Sequence, residues 1–281
     1  MARLTNRPYV CQLDEVLFPD GLEPGHVVEL NGEESTGKSQ YLLQLLATAI
    51  LPASFSGVKI GGLNAEVLFI DTKYNFNILR LVALLEQRLS VALDNSSDAC
   101  TLKKSTSAAT ESEDPIEFAV KQCLARFFFV RCSTSSQLAV TLSSLESVLA
   151  AKPTIRLLML DDVSAFYHMD VFTNTEQRFN LCIGLLSKLV STRQMVLIAT
   201  RTDIDVVKQG FKRDAAGENK SFSDTTSNSY LSSWRQLRTH RRTFAKTDSK
   251  NMFSVTAKST NDVVTQAKFM VVEAGIKIVT S

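Results

Sequence analysis

Apolar residues along this chain come in two rhythms. Short, largely apolar runs read as strands: HVVELN (His26–Asn31), EVLFID (Glu66–Asp71), RFFFVRC (Arg126–Cys132), IRLLML (Ile155–Leu160) and MVLIAT (Met195–Thr200). Between them, longer stretches carry apolar residues at helical spacing and predict helices at Ser39–Ile50, Phe76–Ser90, Ile116–Ala125, Gln137–Ala150 and Gln177–Thr192. The first of these is stopped by Pro52. Strands that stay apolar on both faces and alternate with helices describe a parallel sheet covered on both sides. Past Tyr230 the pattern shortens and turns strand-like, at Trp234–Lys246, Met252–Ala257, Phe269–Val272 and Ile276–Val279. These are expected to close one edge of the same sheet.

Two stretches break the rhythm. Residues 92–115 (ALDNSSDACTLKKSTSAATESEDP) are rich in Ser, Thr, Ala and Asp without an apolar period, and read as a surface insertion. Residues 202–229 are polar and rich in helix breakers, and read as a long flexible loop. With no internal repeat or linker, the expectation is one α/β domain over residues 1–281.

Composition narrows the class. A chain of 281 residues, 44% hydrophobic and 21% charged, is neither disordered nor fibrous, and can bury one large core. No apolar run reaches about 18 residues, so no transmembrane helix is expected, and MARLTNRPYV lacks a signal core. The five cysteines are scattered and form no CxxC pair, which argues against a disulfide framework or zinc site and fits a reducing compartment.

The net charge of +2 hides an asymmetry. Residues 201–260 carry 12 Lys/Arg against 6 Asp/Glu, whereas residues 1–200 carry 17 against 21. A late basic block suits a polyanion or an acidic partner, and equally a solvated face.

The chemistry is concentrated at Gly32-Glu33-Glu34-Ser35-Thr36-Gly37-Lys38-Ser39, which fits G-x-x-x-x-G-K-[ST] without a mismatch. Gly32 and Gly37 permit backbone angles closed to other residues and let the chain approach phosphate oxygens. The loop amides then form an anion nest, and the following helix, with Gln40 in its first turn, offers its positive end to the same phosphates. Lys38 is placed to reach the β- and γ-phosphates and the Ser39 hydroxyl to coordinate Mg²⁺. The alternative, a glycine-rich strand–helix turn, leaves Lys38 without a purpose. Asp161, at the tip of the LLML strand, is the candidate second metal-side residue, with Asp162 beside it; a strand-end cap is the plainer role.

At this point the chain resembles the eukaryotic RecA-type recombinases and their paralogues. LDEVLFPDGLEPGHVVELNGEESTGKSQ (Leu13–Gln40) is similar to the opening of their ATPase core, and EVLFIDT and LLMLDD to the strands around the ATP site. VLFIDTKYNFNILRLVALLEQRLS, VTLSSLESVLA and DDVSAFY carry the likeness to the paralogues, as does the spacing of Trp234, Leu237, His240, Arg241, Phe244 and Lys246. The resemblance implies a RecA-like P-loop NTPase core, a mostly parallel twisted sheet with helices on both faces and closing strands at the C-terminal edge. It implies ATP and Mg²⁺ as cofactors, held by Lys38, Ser39 and Asp161, and an adenine-stacking role for Arg80.

The chain departs from the family in three places. Recombinases carry a catalytic glutamate directly after the IDT strand, and here that position is Lys73. A charged ammonium cannot serve as a base for water. Lys73 could instead sense the γ-phosphate or pair with Asp71 or Asp161, or be a solvated loop lysine. After the fifth strand, a glutamine that relays nucleotide state is replaced by Arg201. No separate N-terminal helical domain and no Phe-x-x-Ala hook precede the core, so self-polymerisation is not expected. By resemblance the chain joins a multi-paralogue complex with the D paralogue as direct partner, in the nucleus.

For nucleic acid, WRQLRTHRRTFAKT (Trp234–Thr247) holds five Lys/Arg, one His and no acid. Arg235, Arg238, Arg241, Arg242 and Lys246 could neutralise phosphates of single-stranded or branched DNA while Trp234 stacks on a base. Alternation on a hairpin would instead send some of them to plain solvent. Three functions follow: a nucleotide-binding, weakly or non-hydrolysing recombination subunit that assists recombinase filaments; an active DNA-dependent ATPase using Asp71, Asp162 or Glu34 as base; or a P-loop small-molecule kinase with an arginine lid.

Overall fold

Strands alternate with helices because each strand must bury two apolar faces and each amphipathic helix only one. The structure, a computed structural model, describes residues 14–18, 21–95, 114–203, 231–249, 251–258 and 264–279. The elements run β1 (Val27–Gly32), α1 (Lys38–Ile50), the short hairpin β2 (Ser54–Phe55) and β3 (Val58–Lys59), β4 (Glu66–Asp71), α2 (Ile78–Asp94), α3 (Pro115–Leu124) and β5 (Phe127–Arg131). They continue with α4 (Ser135–Ala151), β6 (Ile155–Asp161), α5 (Tyr167–Phe172), α6 (Gln177–Arg193), β7 (Val196–Thr202), α7 (Ser232–Leu237), β8 (His240–Lys246), β9 (Met252–Lys258), β10 (Val264–Val272) and β11 (Gly275–Val279).

Among the described residues, nine strands form one sheet in the order β11-β10-β9-β8-β1-β7-β6-β4-β5. From β5 to β8 every neighbouring pair is parallel. Beyond β8 the pairs β8–β9, β9–β10 and β10–β11 are antiparallel. This is the α/β core the strand pattern predicts, with a mostly parallel sheet and strands closing its C-terminal edge.

Successive residues on a strand point to opposite faces, and the two cores follow that alternation. Val28 and Leu30 of β1 join the core made by α1, α2 and α3. Val27 joins the one made by α4, α6 and α7. The sheet therefore has helices on both faces. Cys123, Cys132 and Cys182 are buried free thiols within these cores.

The differences from expectation are local. The stretch at Trp234–Lys246 is not one strand: Ser232–Leu237 is a helical turn, and the strand begins at His240. The hairpin β2–β3 and helix α5 went unpredicted. Of the expected insertion at 92–115, residues 96–113 lie outside the described residues, as do 204–229 of the expected loop.

Candidate nucleotide-phosphate cleft

Four parallel strands deliver their C-terminal ends, Gly32, Asp71, Asp161 and Thr202, to one edge of the sheet. That edge is where open α/β sheets bind ligands. A cleft of about 430 Å³ lies there, lined by the loop residues Glu34 to Gln40 and by Lys73, Asn75, Asp161, Asp162 and Thr200.

The loop's shape is fixed by its glycines. Gly37 adopts a left-handed φ of 86° and leads directly into α1, which has no side-chain cap. Asn77, Asp114 and Thr134 cap α2, α3 and α4 in the ordinary way. Helices α5, α6 and α7 also lack a side-chain cap; what sets α1 apart is that it opens on the cleft, where its first N–H groups can serve an anionic acceptor. A methyl on Gly37 would meet the Phe269 ring at 3.1 Å, and one on Gly32 would collide with the Phe244 carbonyl oxygen. The phosphate loop is therefore braced from behind by β8 and β10.

Lys38 is buried, and its ammonium donates to the carbonyls of Gly32 (2.7 Å) and Glu33 (2.5 Å) and to Thr36 Oγ1 (3.3 Å). All three acceptors are neutral. Burial pulls its pKa down to about 8, against the pull of Asp162 and Asp161, with Lys73 lowering it further. A desolvated cation whose direct partners carry no charge is suited to a polyanionic ligand. Ser39 Oγ donates to Asp161 Oδ1 at 3.1 Å, and Thr200 Oγ1 donates to the same oxygen at 2.5 Å. Burial raises the Asp161 pKa, offset in part by these hydroxyls. The two residues expected to serve a metal are thus neighbours, a hydroxyl and a carboxylate as hard divalent cations require. Gln40 is exposed at the rim, and Glu33 contributes its carbonyl rather than its side chain.

Lys73 lies on the wall formed by the turn after β4. Its ammonium is 3.1 Å from Thr202 Oγ1 and 3.7 Å from Asp162 Oδ2, so its partner is neither Asp71 nor Asp161. Asp71 is spent on the turn: Oδ1 accepts the N–H groups of Lys73 (3.1 Å) and Tyr74 (2.8 Å), and Oδ2 accepts from Arg131 (3.2 Å). Asp162 accepts the Ser164 N–H and hydroxyl through Oδ1 and the Thr202 hydroxyl through Oδ2. Thr200 and Asn75 escaped the sequence reading. Thr200 ends a predicted strand, the same position that marked Asp161.

Two expectations, on Arg80 and on the basic segment, need correcting, and the departure at Arg201 finds its place. Arg80 does not line the cleft; its guanidinium donates to the Val272 carbonyl at 2.5 Å, so stacking on a base would require breaking that bond. Arg201 points to the other face from Thr200 and pairs with Glu29 (3.4 Å) and Asp203 (3.8 Å). The basic segment is divided between the interior and the surface. Trp234 is 0% exposed and donates through Nε1 to Glu29 Oε2 at 2.5 Å. Arg238 and Arg241 bind Glu29 Oε1 at 2.9 and 3.3 Å. Arg242, 5% exposed, donates to the Leu17 carbonyl at 2.6 Å. A buried carboxylate demands compensation, and these side chains supply it. Trp234 and Arg242, both buried, are unfit to meet DNA in this conformation, while Arg235, Arg241 and Lys246 are exposed. Burial likewise removes Arg242 from any kinase lid.

Comparisons with known proteins bear on the family of the chain. The Rad51 family profile matches residues 9–113. DNA repair protein XRCC2 of Mus musculus is 34% identical over 291 residues, spanning 99% of this chain and 94% of that protein. The XRCC2 homolog of Arabidopsis thaliana is 30% identical over 207 residues, 65% of this chain and 56% of that protein. RAD51 homolog 2 of Mus musculus is 37% identical over 79 residues, 28% of this chain and 21% of that protein.

Proposed function

Because the chain belongs to the family of DNA repair protein XRCC2, we propose that it is an ATP-binding, weakly or non-hydrolysing subunit of a recombinase-paralogue complex in homologous recombination. It works in the nucleus at double-strand breaks and stalled forks. There it assists recombinase filament assembly on single-stranded DNA, with the D paralogue as its direct partner. The loop amides and Lys38 hold the phosphates, and Ser39 and Asp161 would hold Mg²⁺, which neutralises phosphate charge when bound. Nucleotide then acts as structural glue rather than fuel.

The observation that carries the weak-hydrolysis reading is the wall facing Lys38. Where the resemblance expects a water-orienting glutamate stands Lys73, and Asp71 and Asp162 are already committed to turn N–H groups, hydroxyls and cations. A general base needs a free lone pair within reach of water. One observation favours an active ATPase instead: the Glu34 carboxylate is exposed and lines the cleft. Single-turnover phosphate release, with protein in excess of ATP and with or without single-stranded DNA, separates the two. Bound ATP that persists fits the proposal; DNA-stimulated release abolished by Glu34→Gln supports the ATPase. A pull-down with the D paralogue tests the partner, and failure to associate counts against the assembly role.

A further inference from the structure

Two ammonium groups face the same cleft, one from each wall. Lys38 rises from the loop, and Lys73 comes from the turn after β4. Their placements differ in kind. Lys38 is buried and held by three acceptors of its own loop. Lys73 is a quarter exposed and held by one hydroxyl at 3.1 Å and one carboxylate oxygen at 3.7 Å. At 3.7 Å the pair lies beyond ordinary hydrogen-bond length, so it is a loose ion pair.

The partner it would leave behind is already satisfied. Asp162 Oδ1 accepts the Ser164 N–H at 2.7 Å and hydroxyl at 2.8 Å, and Oδ2 accepts the Thr202 hydroxyl. Moving Lys73 off Asp162 gives up a loose ion pair but leaves three neutral donors on that carboxylate, so its hydrogen bonds are kept. Lys38 and Lys73 also repel each other across the cleft, which a bound anion between them would relieve.

Resting on the nucleotide reading above, we propose that Lys73 is a second phosphate-binding cation that recognises the terminal phosphate of a nucleoside triphosphate. The ammonium trades its loose contact with Asp162 for a charge-assisted bond to that phosphate. A diphosphate, lacking the group, leaves Lys73 where it stands. The substitution that removes a base thereby supplies a reader, and the site prefers triphosphate to diphosphate.

The test is calorimetric titration of the full chain with ATP and with ADP, each with Mg²⁺. Lys73→Ala weakens ATP binding at least about tenfold and leaves ADP within about twofold, and Lys73→Arg restores most of the ATP affinity. Lys73→Met, which keeps the aliphatic stem, gives the same result should the alanine variant not fold. Equal losses for both nucleotides, or no loss for either, overturn the proposal. A wild-type chain that binds neither nucleotide overturns the phosphate-loop reading itself, and is told apart from the former outcomes by that.

Discussion

Lys38 concentrates the physical chemistry of the site in one side chain. Its pKa falls from 10.5 to about 8 because burial penalises the ammonium. Phosphate binds the charged form, so affinity for nucleotide falls as pH rises above about 8, by up to about tenfold per pH unit. Titrations between pH 7 and pH 9.5 check this. The stability term has the opposite sense. Between pH 8 and 10.5 the unfolded chain holds the proton more tightly than the folded one, so this group's contribution to stability rises with pH there. Gly37 is the second sensitive residue. An alanine there must hold φ 86° and press on Phe269, at a cost of about 1–2 kcal/mol, read as a lowered midpoint in denaturant. The loop was legible in the sequence because its whole chemistry is contiguous, from Gly32 to Ser39. The Lys73–Asp162–Thr202 contact was not, because its members come from three strand ends separated by up to 129 residues.

At the scale of elements, the strongest surprise is Glu29. It sits mid-strand on β1 and is 0% exposed, with Arg201 of β7, Arg241 of β8, Arg238 after α7 and Trp234 of α7 converging on it. Removing the carboxylate strands guanidinium charge, Arg201 being itself buried. Glu29→Ala is therefore expected to destabilise the fold by about 3–5 kcal/mol in urea unfolding. Trp234 is the only tryptophan in the chain, so its emission reports the knot directly. Single-stranded DNA should leave that emission unquenched; quenching by stacking would restore the original reading of this residue. The sequence displayed five basic residues without an acid among them. It hid the acid, which lies 205 residues from Trp234 and reads as one more polar position in a strand. Local composition cannot reveal a neutralising partner brought by the sheet. Phe269 of β10 has a comparable bracing role, packed on Tyr41 and behind Gly37. Phe269→Ala should cost about 3–5 kcal/mol and weaken nucleotide binding as well, seen by thermal melts with and without ATP.

The whole molecule divides its labour along the sheet. The parallel strands carry the cleft at their C-terminal ends, and β9 to β11 extend the sheet behind it. This architecture was legible because continuous apolar strands alternating with helices admit few arrangements. The order of strands was not, since periodicity says nothing of which strands are neighbours. A direct measurement of the central claim is a calorimetric titration of Mg²⁺ and ATP into the wild-type chain and into Lys38→Ala at pH 7. A saturable, one-to-one binding heat in the wild type that vanishes in a variant retaining its circular dichroism is the predicted result. Absence of binding in the wild type, or the same isotherm in both, would contradict the account.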